Sequence, residues 1–289
     1  MRRTEDKEHV TGRISSARLF LRPLKGLECL KRDGVIEATL KAAPAGAEVY
    51  LVGGVLRNIA LGAPLAPDYD FSFNGDTKAL AASVAARLGA AFFALDEEAG
   101  AWRVVSKGPT LLTGDFTPTL GGDILVDLAK RDFTVNALAL SIARPFDAEL
   151  FVIDPFGGIK DAHARVLRKV SDSVFDNDPL RMMRAVRLST QYRLEIEKET
   201  WESLVSKSGL LSSTSPERAR DELIRLFSCS RASTGVRLWT ATRRPRPPNR
   251  STPWVPAATA TCARCTRVDA VTQARTGGAA RGAGSSRPA

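Results

Sequence analysis

The stretch Glu48-Val-Tyr-Leu-Val-Gly-Gly-Val-Leu-Arg-Asn-Ile-Ala-Leu-Gly-Ala-Pro-Leu-Ala-Pro-Asp-Tyr-Asp-Phe-Ser-Phe-Asn-Gly75 decides how the chain folds. Val49 to Val52 is an apolar run short enough for a buried strand. Gly53 and Gly54 follow, then a helical piece with Val55, Ile59 and Leu61, stopped by Gly62 and Pro64. A second strand-like run carries Asp68 and Asp70. Side chains two apart on a strand share a face, so the two carboxylates converge, which is costly unless a cation lies between them. Two hard oxygen ligands suit Mg²⁺.

The glycine side of the stretch supplies the opposite charge. Gly53 and Gly54 let the backbone approach closely, and the helix after them opens with free N–H groups and a positive dipole end. Arg57 lies one turn in. An anion site beside a Mg²⁺ carboxylate pair describes a site for nucleotidyl transfer. Singly, Gly-Gly or Asp-x-Asp is far more often a tight strand–helix turn or two surface aspartates than a functional site; the joint arrangement is much more specific.

Leu51-Val-Gly-Gly-Val-Leu-Arg57 together with Pro67-Asp-Tyr-Asp-Phe71 resembles the first motif of the class II CCA-adding enzyme (tRNA nucleotidyltransferase) and bacterial poly(A) polymerase family. Later motifs extend the resemblance from about Val49 to Phe227. The expected fold is therefore α+β, a nucleotidyltransferase head with a mixed or antiparallel sheet followed by an all-α neck. The short strands Ala91 to Leu95, Ala101 to Ser106 and Thr110 to Phe116, set among helices without βαβ alternation, point the same way. The expected organisation is an N-terminal extension (1–33), the head (34–150), the neck (151–228) and a low-complexity tail (229–289).

The net charge is concentrated at one end of the chain. Forty-two Lys and Arg against thirty-two Asp and Glu give +10, but residues 230–289 hold eleven Arg and one acid, Asp269, and so carry all of it. The body is neutral, and any RNA contact there must rest on local patches. Four cysteines, Cys29, Cys229, Cys262 and Cys265, form no disulfide framework in 289 residues, so a reducing compartment is expected. No apolar run reaches the length of a membrane span. The basic N-terminus is interrupted by Glu5, Asp6 and Glu8, unlike a secretory signal; an organellar transit peptide is the less favoured alternative, because such peptides avoid acids. The expectation is a cytoplasmic protein without a membrane partner, and the sequence carries no signal for oligomeric state.

Further along, Asp115 matches by resemblance an acidic strand position facing the metal pair; a turn-flanking aspartate before Thr117-Pro118 is the competing reading. Asp127-Leu-Ala-Lys-Arg-Asp-Phe-Thr-Val-Asn-Ala-Leu-Ala-Leu140 reads as one amphipathic helix. Arg131-Asp-Phe-Thr-Val-Asn136 resembles the family's second motif, which implies that Arg131 contacts the nucleotide while Asp132 and Asn136 brace it and the sugar. Asp154-Pro-Phe-Gly-Gly-Ile-Lys-Asp161 reads as a turn and resembles the hinge between head and neck. His163, far from the only other histidine, His9, reads as a surface residue.

In Phe175-Asp-Asn-Asp-Pro-Leu-Arg-Met-Met-Arg-Ala-Val-Arg-Leu188, Asp178 and Pro179 open a helix. Arg181, Arg184 and Arg187 form a stripe along it that repels itself unless anions or acids are near. The resemblance implies that Asp178 and Arg181 read the base edge of CTP or ATP, with Arg184 and Arg187 near the nucleotide or primer. Asn177 stands where CCA-adding relatives commonly have Glu, which weakens the inference about which nucleotides are selected. Ser215-Pro-Glu-Arg-Ala-Arg-Asp-Glu-Leu-Ile-Arg-Leu-Phe227 is a capped helix resembling the last neck motif, with an expected ion pair between Arg218 and Glu222.

After Ser228 the composition shifts to Arg, Pro, Ala, Thr and Gly without an apolar period, so this segment is expected to be disordered or poorly packed. The shift resembles an out-of-frame or shortened gene. Cys262-Ala-Arg-Cys265 lacks two further ligands for zinc. The activity the resemblance implies is template-independent addition of CMP and AMP to the 3′ end of tRNA or another RNA, from CTP and ATP, with two Mg²⁺ ions. In that reading Asp68 and Asp70 are catalytic metal ligands, joined by Asp115, and Gly53, Gly54 and Arg57 hold the triphosphate. Two alternatives stand beside it: a poly(A) polymerase or partial (CC- or A-) adding enzyme, and an inactive nucleotide- or RNA-binding remnant.

Overall fold

The computed structural model describes residues 17–65, 67–106, 112–142, 146 and 149–242. All of these fall within one unit, residues 1–245. The expectations for the tail beyond 242, including Cys262 and Cys265, lie outside the described residues.

The apolar run of the opening stretch is a central strand, β2 (Val49–Val52), with all four residues buried. It pairs antiparallel with β3 (Asp68–Phe73) on one side and β7 (Ala139–Ser141) on the other. Beyond β3 the sheet continues with β6 (Thr113–Pro118), β5 (Ala101–Val105) and β4 (Ala91–Asp96); beyond β7 lie β8 (Phe151–Ile153) and β1 (Leu21–Pro23). Among the described strands of this eight-stranded sheet only β3 and β6 pair in parallel, so the sheet is mixed. Part of the N-terminal extension is thus the edge of the sheet, and residues 151–153 belong to the sheet rather than to the neck.

Helix ends follow their local chemistry. Asp33 accepts from the amides of Val35 and Ile36 to cap α1 (Gly34–Ala42), and Asp76 caps α3 (Thr77–Leu88) through Ala79 N–H. Between them, α2 (Gly54–Leu61) starts at Gly53 and stops at Gly62 in the left-handed region, as the two glycines suggest. Tyr50, Val52, Ala137, Ala139 and Ile153 pack under α4 (Ile124–Ala129), through Ile124 and Leu128, to form part of the core.

The single helix expected over Asp127 to Leu140 does not form. α4 ends at Ala129, Thr134–Asn136 is one 3-10 turn, and the chain then enters β7. Asp132 accepts from the amide of Phe133 and from the Asn136 side chain, which offers the backbone an alternative to helix. Phe133 through Leu140 are all buried, so the apolar spacing reflected burial on every side, not one helical face.

The neck begins with α5 (Gly158–Ala164), whose first amides are capped by the Asp154 carboxylate. The sequence that reads as a plain turn is thus the start of a helix, packed so tightly that a side chain on Gly158 would overlap the Thr134 carbonyl. His163 is exposed, as expected. Then come α6 (Val174–Asn177), α7 (Leu180–Tyr192), α8 (Lys198–Lys207) and α9 (Pro216–Phe227), with a two-residue parallel ribbon between β9 (Val166–Leu167) and β10 (Glu195–Ile196).

Residues 232–242, expected to pack poorly, form a helix, α10 (Ala232–Thr242). Its Gly235 lies so close to Leu226 and Thr190 that a Cβ would sit 2.5 and 2.8 Å from their side chains. One glycine at the contact, with Leu238 buried beside it, suffices where a long apolar repeat is absent. Among the described residues no helix is long and apolar enough to cross a membrane.

Candidate active site

A cleft of about 830 Å³ opens where the ends of β2, β3 and β6 meet the neck. Its floor is acidic. Asp68 and Asp70 share one face of β3, and the parallel pairing with β6 sets Asp115 directly beside Asp70. Thr113 donates its hydroxyl to Asp68, and Arg103 grips Asp115 with two bonds, at 2.7 and 2.6 Å. Asp70 opens to the cleft but is walled in by protein. That poor solvation is the largest cause raising its carboxyl above the ordinary range; Arg131 opposes the rise, while Asp115 and Asp68 add to it.

The facing wall is the glycine turn. Gly53 adopts φ +73° and ψ −120°, a conformation that side chains disfavour. A Cβ there would stand 3.1 Å from Arg131 Nη1 and 3.5 Å from Asp70 Oδ2, so the bare backbone is what lets acid and base approach. Arg131 is steadied by Asp127 at 3.0 Å.

Among the described residues no acid forms a salt bridge with Arg57. It donates to Asn58 Oδ1 (3.2 and 3.0 Å), Asn136 Oδ1 (2.8 Å) and the Tyr192 hydroxyl (2.9 Å). Burial is the main cause depressing its pKa. A half-buried guanidinium among neutral partners is a ready anion receptor.

The neck wall is neutralised within itself. Asp132, 5% exposed, accepts from Asn136 at 2.8 Å and from Arg184 at 3.1 Å. Glu222, 4% exposed, takes Arg187 at 2.6 Å and lies 3.5 Å from Arg184. Burial alone would raise the Asp132 carboxyl, but the Arg184 charge and the bonds from Asn136 and Phe133 N–H outweigh it and hold it below the ordinary range. The expected pair between Arg218 and Glu222 is not formed. Arg218 reaches across to Asp178 at 2.8 Å, because Glu222 faces the two arginines of α7.

Gly53, Gly54, Arg57, Asp68, Asp70, Asp115, Arg131, Asp132, Asn136, Arg184 and Arg187 therefore line one cleft. Asp178 and Arg181 do not. Asp178 caps α7 through Leu180 N–H and holds Arg218, while Arg181 donates to the Lys130 carbonyl at 2.9 Å. Arg103, Tyr192, Gln191 and Arg225 also line the cleft and escaped the sequence reading. Arg103 alternates with apolar Trp102 and Val104 on a strand, a weak signal; Tyr192 carried none.

Among the described residues no group of three or more His, Cys, Asp or Glu side chains forms a metal cage. Asp115 is engaged by the Arg103 cation, and among the described residues Asp68 and Asp70 form no salt bridge, Asp68 accepting from the neutral Thr113 hydroxyl. Two carboxylates with room for water and phosphate oxygens fit Mg²⁺, which rarely uses an all-protein cage.

An α+β head whose central strands end in an acid-floored, glycine-walled cleft under a helical neck is the architecture of a nucleotidyltransferase. Residues 114–168 match the family model described as the poly A polymerase head domain, and residues 193–242 match the probable RNA and SrmB- binding site of polymerase A. The chain is 40% identical over 191 residues to a CC-adding tRNA nucleotidyltransferase of Geobacter sulfurreducens, covering 66% of this chain and 43% of that protein. To an A-adding tRNA nucleotidyltransferase of Deinococcus radiodurans it is 39% identical over 198 residues, covering 67% and 42%. A solved CCA-adding enzyme in complex with CTP is similar at a TM-score of 0.67 and 26% identity, covering 78% of this chain and 55% of that one. The chain is similar to the class II CCA-adding enzyme and bacterial poly(A) polymerase family, and it spans less than half the length of these curated relatives. The family likeness expected to end at Phe227 continues through α10.

Proposed function

We propose that the chain transfers nucleotidyl groups from CTP or ATP to the 3′ end of tRNA without a nucleic-acid template. The observation that carries this reading is the cleft itself, in which the Asp68 and Asp70 pair faces Gly53, Arg57 and Arg131. Each half is electrostatically incomplete alone, and a triphosphate with its cation completes both.

Asp68 and Asp70 would hold two Mg²⁺ ions, which when bound supply acidification of the primer hydroxyl and stabilisation of the leaving pyrophosphate. Gly53 and the first amides of α2 receive phosphate oxygens, and Arg57 and Arg131 bind the triphosphate from either side. Asp115 with Arg103 keeps the β6 side of the floor in place. Asn136 and Asp132 orient Arg57 and the sugar side. Asp178 and Arg181 select the base edge after exchanging their present partners, Arg218 and the Lys130 carbonyl. Positioning and charge stabilisation carry the rate.

The test is incorporation of labelled CTP and ATP, separately and together, into tRNA trimmed of its 3′ end. Addition of C, of A or of both in order supports the reading and assigns the product. Two relatives are named as CC-adding and A-adding, so a single-nucleotide specificity is the second reading, and the separate reactions decide it. Nucleotide binding with no incorporation at saturating tRNA would refute the enzymatic reading in favour of a binding remnant.

A further inference from the structure

Arg57 is held from the neck as well as from the head. Four of its five N–H groups are taken by Asn58, Asn136 and Tyr192. Tyr192 contributes twice. Its hydroxyl accepts from Nη2 at 2.9 Å, and its ring lies under the guanidinium with the carbon 4.6 Å from the centroid. A hydroxyl acceptor and a π face hold a cation without cancelling its charge, as a carboxylate would. Arg57 keeps its full attraction for an anion while losing its freedom to turn away.

A second contact fixes where Tyr192 sits. Arg165, at φ +57°, donates to the Tyr192 carbonyl at 3.3 Å and to the Leu61 carbonyl at 3.0 Å. Tyr192 is the last residue of α7 and Leu61 the last of α2, so both helices end on one guanidinium, which suits the negative ends of their dipoles. The helix bearing Arg57 and the helix bearing Tyr192 are therefore tied at two points.

We propose that Tyr192 is a positioning residue. It aims Arg57 at the triphosphate and makes phosphate affinity depend on the seating of neck helix α7 against head helix α2. This rests on the reading that the triphosphate occupies the Gly53 to Arg57 wall. Because Tyr192 acts on phosphate and not on the base, its effect is equal for CTP and ATP.

Inorganic tripolyphosphate, which has neither base nor sugar, isolates this effect. Its affinity is measured by titration calorimetry on the full chain for the wild type, Y192F, Y192L, R57A and the double variant R57A/Y192F. Losing the hydroxyl in Y192F weakens binding about three- to tenfold. Losing the ring as well in Y192L weakens it about thirtyfold. Binding of cytidine is unchanged in both, and Y192F adds nothing in the R57A background, as a double-mutant cycle requires. Wild-type affinity in Y192F and Y192L, with affinity lost in R57A, removes the role of Tyr192 and leaves that of Arg57 intact. A Y192F loss that persists undiminished without Arg57 equally overturns it. If wild type and R57A bind alike, the triphosphate reading itself fails and takes this inference with it. Should Y192L not fold, Y192F and its cycle with R57A decide alone.

Discussion

The floor and the neck wall of the cleft hold similar numbers of charges and handle them in opposite ways. On the floor, Asp68 and Asp70 share one strand face, with Asp70 walled in by protein, and among the described residues Arg57 opposite is held by neutral partners. On the neck wall, Asp132, Arg184, Glu222 and Arg187 neutralise one another among buried atoms. Unmatched charge costs stability and waits for a ligand; matched buried charge holds the site together and costs stability only when one member is removed. The difference separates residues that act on substrate from residues that keep the cleft in shape.

The sharpest break in that comparison is Asp70→Ala. It should lower incorporation by at least about a thousandfold, roughly 4 kcal/mol of transition-state stabilisation, while the fold is kept. Stability should move the other way. A folded-state pKa above the unfolded value favours folding below the unfolded value of about 4, and that support is withdrawn as pH rises through the folded value. Asp70→Asn is thus expected to unfold at a higher temperature than wild type at pH 7, with the gap closing towards pH 4. Thermal scans across that range in EDTA check the sign, and added Mg²⁺ should raise the melting point of wild type far more than that of Asp70→Asn.

Asp132→Ala should show the converse. It leaves Arg184 with only the longer 3.5 Å contact to Glu222 and should cost about 2–4 kcal/mol of unfolding free energy by denaturant titration. Because the Asp132 carboxyl is held low, its support is present above the unfolded pKa and lost as pH falls through the folded value. The variant and wild type therefore converge in acid, not at neutral pH.

Gly53→Ala tests the wall between the two regions. Its backbone conformation and its 3.1 Å approach to Arg131 should together cost about 1–3 kcal/mol, with nucleotide affinity falling alongside, both read by melting with and without CTP. The smallest effect is expected from Arg218→Ala. Arg218 is 56% exposed, so losing its pair with Asp178 should change stability by about 1 kcal/mol or less. If Asp178 reads the base, freeing it should alter the ratio of CTP to ATP incorporation while the melting point moves by no more than a few degrees.

Much of the floor was legible in the sequence because its geometry is local. Strand alternation puts Asp68 and Asp70 on one face whatever surrounds them, and the backbone at Gly53 is one that glycine adopts far more readily than other residues. The neck was legible in its helices but not in its pairings. Glu222 is one turn from Arg218, and spacing favours that pair, yet the packing of α9 on α7 gives Glu222 to Arg184 and Arg187. Apolar spacing over Asp127 to Leu140 suggested one helix because a segment buried on all sides presents no polar face to reveal its true period. α10 was missed because a single close contact at Gly235 replaces the repeat a sequence reader seeks.

The sequence alone determined the strand–glycine–helix–strand unit and the chemistry its acids and glycines can support, since these depend on bonds and contacts a few residues apart. Tertiary structure decided which acid answers which arginine, that Asp115 stands beside Asp70, and that Tyr192 underlies Arg57 135 positions away. Those pairings depend on the register between strands and the seating of one helix on another, which are set by the burial of the whole core and are written in no single segment.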